Sequence, residues 1–159
     1  MDDAAKKTVL RSLTYGLYAV TVKHGTEEHG MTANWVTQTS FEPPMVGVAV
    51  ENGSKTIDWI RDSHHFAINV LADGQREVAG KLGRSSEHTP NKLKGVRTKP
   101  APVSGAPILP DALGWVECRV VATLPSGDHT LVLGEVVAAG VEQEGTPLTL
   151  QGAGFSYAG

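Results

Sequence analysis

The sequence predicts a mainly β domain, a small antiparallel barrel with helical additions. Short runs rich in Val, Thr and aromatic residues recur along the chain, set apart by Gly, Pro and Asp turns. Only two stretches read as helices, and they do not alternate regularly with the strands. No Gly-x-Gly-x-x-Gly follows a strand, so a doubly wound dinucleotide fold fits poorly.

Leu17 to Lys23 reads as the first strand and ends at the turn His24-Gly25-Thr26-Glu27-Glu28. Met31 to Phe41 and Met45 to Glu51 follow as strands on either side of Pro43-Pro44. Ser54 is placed to cap a helix through Asp62, with Ile57, Trp59 and Ile60 on its apolar face. Phe66 to Leu71 is a short buried strand. Asp73 is expected to cap a second helix, which carries Val78 and Leu82 and ends at Gly83.

From Arg84 to Ala112 the texture changes, and five of the nine prolines fall there. A loop of this length in a compact domain reads as a functional cover or a mobile segment. Trp115 to Thr123 then puts Val116, Cys118, Val120 and Ala122 on one face. Ser126-Gly127-Asp128 turns it into a strand from Thr130 to Val141, and the glycine-rich tail from Gly145 to Gly159 is expected to add a last short strand. A length of 159 residues without repeat or linker gives one domain, 1–159, with its core at about 13–141 and its tail at 145–159.

Composition narrows the function. Net charge is −3 with no basic run, so nucleic acid is not expected as a partner. Met1-Asp-Asp-Ala-Ala-Lys-Lys has no apolar stretch to serve as a signal peptide, and no apolar run is long enough to span a membrane. The single cysteine, Cys118, leaves no intrachain disulfide and suits a reducing compartment, so the expected location is cytoplasmic. His64-His65 lacks ligand spacing to any Cys or carboxylate, so no metal is expected. Gly80-Lys81-Leu82 fails the P-loop pattern, and no Gly-x-Ser-x-Gly occurs.

The segment from His29 to Glu51 concentrates the chemistry. Thr32, Asn34, Thr37, Gln38, Thr39 and Ser40 crowd a run that should be sheet, where a strand serving only a core would alternate with apolar residues. Such a strand suits a flat ligand with a polar edge; as an exposed threonine-rich strand it would bind nothing. Asn52-Gly53-Ser54-Lys55-Thr56 follows a strand and opens a helix, bringing free amides, two hydroxyls and an ammonium to one place. Its bland alternative is an ordinary serine cap beside a solvated lysine. His129 follows a tight Gly127-Asp128 turn, in which Asp128 shapes the chain.

Met31-Thr-Ala-Asn34 resembles the signature of the flavin reductase-like proteins, split-barrel flavoproteins that bind FMN. Val116 to Val137, with its Gly127-Asp128-His129 turn, resembles the later strand pair of the same family. The likeness runs from about Leu13 to Val141. It implies an FMN-binding split barrel, with the ring against Met31, Thr32, Ala33, Asn34 and Trp35, and Thr37 supporting. It places the phosphate at Asn52, Ser54 and Thr56 with Lys81 as a further partner, and His129 beside a nicotinamide substrate.

The implied activity is NAD(P)H-dependent flavin reduction, with FMN as cofactor (FAD as the alternative) and NADH or NADPH as co-substrate. No side chain is expected to act as a catalytic acid or base. A homodimer is implied, as is a monooxygenase or other redox partner. Trp35-Val36 departs from the Ser-Phe pair of many members. It is closer to those that act as electron carriers or are fused to other redox modules, which makes an FMN-binding electron carrier the second reading.

Overall fold

The computed structural model describes residues 1–159. Helix α1 (Asp3–Arg11) starts at Asp2, whose carboxylate accepts from Ala4 N and Ala5 N, and none of its residues is buried. Strands β1 (Tyr18–His24) and β2 (Glu27–Ala33) form a hairpin, and β3 (Val36–Ser40) and β4 (Met45–Glu51) form the next. Helix α2 (Lys55–Ser63), strand β5 (His65–Val70) and helix α3 (Arg76–Leu82) follow. A two-residue ribbon, β6 (Lys99–Pro100) with β7 (Pro107–Ile108), precedes the long hairpin β8 (Gly114–Ser126) and β9 (His129–Val141).

The main sheet is antiparallel throughout, in the order β2-β1-β5-β8-β9-β4-β3. Its two edge strands are consecutive in the chain, and only Asn34 and Trp35 lie between them. The run expected as one strand from Met31 to Phe41 is therefore two. It pairs first with β1, breaks at Asn34-Trp35, and then pairs with β4, where Ala49 N donates to Trp35 O at 3.0 Å. One continuous segment thus serves both edges and carries the sheet round on itself as a split barrel, in which β2 and β3 do not pair with each other.

Val20, Val22, Val48, Val50, Phe66, Ile68, Cys118 and Val132 fill the barrel, and Ile57 and Ile60 of α2 complete this core. Ser54 caps α2 as expected, accepting from Ile57 N at 3.3 Å. Gly134 faces Phe66 across the interior. A Cβ there would stand 2.7 Å from Phe66 Cζ, so only glycine lets the ring lie against β9. Cys118 is fully buried, and its thiol is pushed up to about 12, first by burial and then by the charge of Glu117. It is packing, not a nucleophile.

A second core lies outside the barrel, where Leu71, Ala79, Leu82, Leu93, Leu109 and Leu148 meet Leu17 and Ala19. It gathers α3, the 84–112 segment and the tail. That segment is held by buried polar groups rather than left as a loose cover. The fully buried Glu117 carboxylate accepts from Val103 N at 3.0 Å and from Ser104 N and Oγ at 2.6 Å each. Asn69 Oδ1 accepts from Leu109 N at 2.8 Å, and Thr21 Oγ1 donates to Pro107 O at 2.5 Å. Three donors on one carboxylate are what make its burial tolerable.

Two local expectations are corrected. Asp73 does not cap α3: it accepts only from Gly74 N, and the helix begins after Gln75 without a side-chain cap. The tail forms no strand. It makes single bridges, Gly16 with Thr149 and Ala72 with Pro147, and then turns back over the barrel.

Candidate functional site

A cleft of about 1100 Å³ opens where β2 breaks, β4 ends and α2 begins. Its walls are Met31 to Trp35, the segment Glu51 to Thr56, the end of α3 with Arg84 to Glu87, and Phe155 to Tyr157 of the tail. This is the size of a cavity that encloses a large organic ligand. Barrel closure creates it, because the break at Asn34-Trp35 turns the strand away from β1 just where the first turn of α2 comes up from β4.

One end of the cleft gathers positive charge. Lys92 is 5% exposed, yet its ammonium meets no carboxylate: Nζ donates to Leu82 O at 2.8 Å and Arg84 O at 3.1 Å. An ammonium has three donors, so one remains for a ligand. Burial, then the charge of Lys55, lowers its pKa to about 8. Lys55, at the first turn of α2, lies 4.4 Å from the centre of the Trp59 ring. Beneath them the buried His29 sets Nε2 3.1 Å from Thr56 Oγ1. Burial lowers this imidazole to about 4, with Lys92 and Lys55 adding to the effect, so it is neutral at pH 7. Two hydroxyls at a helix start, a buried ammonium and a neutral ring make a place for an anion.

The other end is aromatic. The Trp35 ring lies 4.8 Å from that of His129 and 5.3 Å from that of Tyr157. Asp128 Oδ1 and His129 Nδ1 are 2.6 Å apart, and the histidine and its hydrogen bond hold the exposed carboxyl below its usual range. Trp35 Nε1 is buried with no hydrogen-bond partner. A buried indole N–H normally finds an acceptor, so this wall is built to meet a polar group.

Most of the expected residues come together here: Met31, Thr32, Ala33, Asn34, Trp35, Asn52, Ser54, Thr56 and His129 all line the cleft. Two do not. Thr37 lies on the exposed part of β3, donating to Gln38 O, because the β2–β3 break turns that strand away. Lys81 points along the outer side of α3 to Lys94 O, and Lys92 supplies the ammonium instead.

Some side chains in the cleft wall are already engaged. Thr32 Oγ1 donates to Ala79 O at 2.6 Å, fastening α3 to β2. Asn52 donates to Gly127 O at 3.1 Å and accepts from Thr130 Oγ1 at 2.7 Å, fixing the β8–β9 turn. The sequence reading missed His29, Lys92, Arg84 and Tyr157. Only His29 had a local signal, as the start of the polar strand segment.

The model of the flavin reductase like domain matches residues 10–159. The chain belongs to the flavin reductase-like family. A curated relative in that family is the reductase component of 4-hydroxyphenylacetate 3-monooxygenase from Thermus thermophilus, 33% identical over 93% of this chain and 91% of its own. Another is putative diflavin flavoprotein A 3 of Nostoc sp., 36% identical over 84% of this chain but 23% of its own length. The chain thus spans about a quarter of that flavoprotein, and 62% of a similar high molecular weight rubredoxin from Moorella thermoacetica. Among solved structures, the NADH:FAD oxidoreductase SgcE6 of Streptomyces globisporus, in complex with NAD and FAD fragments, superposes with a TM-score of 0.78. It is 31% identical and covers 86% of this chain and 80% of its own. The family's fold is the split barrel described above.

Proposed function

We propose that this member of the family is an NAD(P)H-dependent flavin reductase. The observation that carries the reading is the two-part lining of the cleft: cationic and hydroxyl groups in Lys92, Lys55, Ser54 and Thr56, and aromatic rings in Trp35, His129 and Tyr157. A flavin mononucleotide has two matching parts, with a phosphate at one end and a ring with a polar edge at the other.

Ser54, Thr56 and Lys92 would hold the phosphate, and Met31 to Trp35 would line the ring. Trp35 Nε1, which lacks an acceptor, offers a donor on that side. His129 and Trp35 would position a nicotinamide. The bound flavin supplies the redox chemistry, accepting hydride from a reduced nicotinamide. This chain's residues bind, orient and exclude water, and none need act as a general acid or base. FMN is the expected flavin, with FAD as the alternative.

The expected assembly is a homodimer. Leu124 and Val121 of the long β8–β9 hairpin are 60% and 51% exposed, and Phe41 is 88% exposed, giving a second copy apolar surface to cover. Sedimentation velocity at micromolar protein checks it. The reduced flavin would serve a monooxygenase or another redox partner in the cytoplasm.

The deciding experiment is FMN fluorescence quenching followed by steady-state NADH oxidation with FMN supplied. Binding at micromolar FMN or tighter together with turnover is expected, and no binding at tens of micromolar would refute it. A second reading is an electron carrier that holds flavin without turnover. It is favoured by the likeness to the longer diflavin flavoprotein and rubredoxin and by Trp35. Flavin binding without NADH or NADPH oxidation would select it.

A further inference from the structure

We propose that Tyr157 competes with the nicotinamide substrate for His129, closing that end of the cleft until the substrate displaces it. The inference rests on the reading above, in which the nicotinamide is met beside His129.

Tyr157 is drawn into the cleft by three contacts. Asn34 Nδ2 donates to its carbonyl oxygen at 3.0 Å, its ring packs on Trp35, and its hydroxyl lies 3.3 Å from His129 Nε2. The polarity of the last contact follows from the residue behind it. The Asp128 carboxylate can only accept, so in the neutral ring His129 Nδ1 carries the proton and Nε2 presents a lone pair. The Tyr157 hydroxyl must then donate. It keeps its proton, since burial, and then the charges of Glu51 and Asp128, raise it above the ordinary phenol range.

A nicotinamide carboxamide carries N–H donors of the same kind. The single Nε2 lone pair accepts one donor at a time, so the phenol and the carboxamide exclude each other. The closed arrangement is also imperfect, because it leaves Trp35 Nε1 buried without an acceptor. That orphan donor is a standing cost, which a ligand bringing an oxygen would remove.

The tail has one hinge, at Gly154. Ala153 is buried, and its carbonyl accepts from Arg76 Nε at 2.6 Å. Gly154 follows with φ 70°, a conformation open to glycine, and beyond it Phe155 is half-buried, Ser156 is exposed and Tyr157 is 49% exposed, only one side of its ring facing the cleft wall. Beyond Gly154 the segment is held by Phe155 N donating to Leu150 O at 3.1 Å and by Arg11 Nε donating to Ala158 O at 3.3 Å, two further bonds that release must break, with Gly154 as the hinge.

Tyr157→Phe leaves the ring on Trp35 and removes the donor, and Tyr157→Ala removes both. In FMN-loaded protein, KM for NADH should fall about three- to tenfold in Tyr157→Phe, with FMN affinity within about twofold of the parent. Saturating NAD+ should also speed amide exchange at Phe155, whose N–H donates to Leu150 O at 3.1 Å, about fivefold or more in the FMN-loaded parent, since the segment must leave.

NADH turnover with an unchanged or raised KM in both variants would overturn the proposal, as would slowed exchange, because Tyr157 would then be a wall of the substrate site. FMN alone releasing the segment would overturn it by making the flavin the competitor. No NADH oxidation and no NAD+ effect in the parent would remove the nicotinamide reading itself, and this proposal with it.

Discussion

His29 Nε2 lies 3.1 Å from Thr56 Oγ1, joining the buried face of β2 to the first turn of α2 beneath two lysines. The two residues are 27 positions apart in the chain, and their contact sets how the floor of the anion end is built. A neutral imidazole is the only form this floor accepts comfortably, because a charged one would be desolvated beside Lys92 and Lys55.

Acid should therefore loosen the fold through His29. The unfolded histidine takes up its proton near 6.5, but the folded one does so only near 4. Between those values the unfolded state binds more protons, so stability falls as pH drops through that window, by up to ~3 kcal/mol. Urea midpoints at pH 7 and pH 4.5 check this, and His29→Gln should flatten the difference. An equal slope in parent and variant would move the effect elsewhere.

Lys92 should make flavin binding depend on pH in the alkaline range. Its ammonium is present below about 8 and is lost above it. Affinity for FMN should weaken as pH rises from 7 to 9.5, while riboflavin, which has no phosphate, should bind with little change. Lys92→Met should cost about tenfold or more in FMN affinity, the scale of a hydrogen bond to a charged group, and abolish the slope. Ser54→Ala with Thr56→Ala should likewise weaken FMN far more than riboflavin. Equal losses for both flavins would show that these residues act on folding or on the ring.

His129 should separate the two substrates. His129→Ala is expected to leave FMN affinity within about twofold, while kcat/KM for NADH falls roughly tenfold, near ~1.4 kcal/mol. Reduction by dithionite, which bypasses the nicotinamide, should be unchanged. Loss of FMN in this variant would place His129 in the flavin site.

Gly134 tests barrel packing independently of any ligand. A methyl group there would stand 2.7 Å from Phe66 Cζ and 2.8 Å from Cys118 Cβ, both fully buried. Gly134→Ala should destabilise the protein by ~1–3 kcal/mol, read from the denaturation midpoint. Gly53→Ala would not serve as a control, because its φ of 75° penalises any side chain.

The β-rich class, most strand positions and the Ser54 cap were legible in the sequence, because each is a local property, while the Met31 to Trp35 wall was reached through the family resemblance. Alternation, turn residues and capping act over a few neighbours, and a short run displays them in full. The Met45 to Glu51 strand is the cleanest case, its bounds being those of β4.

What the sequence could not display was decided by pairing across distance. The break at Asn34-Trp35 exists because one segment must leave β1 and join β4 to close the barrel, and no residue there announces it. Lys81, one helix after the Ser54 cap, was the further phosphate candidate, but its direction around that helix carries it outward to Lys94 O. Lys92 reaches the cleft because the irregular segment 84–112 folds back onto the second core, and irregular backbone has no period from which a direction can be read. Glu117 stands next to Cys118 on β8, and both are fully buried. The carboxylate is buried because loop amides from Val103 and Ser104 come to meet it. Local chemistry determined which elements form, and closure of the sheet, a long-range event, determined which side chains share the cleft.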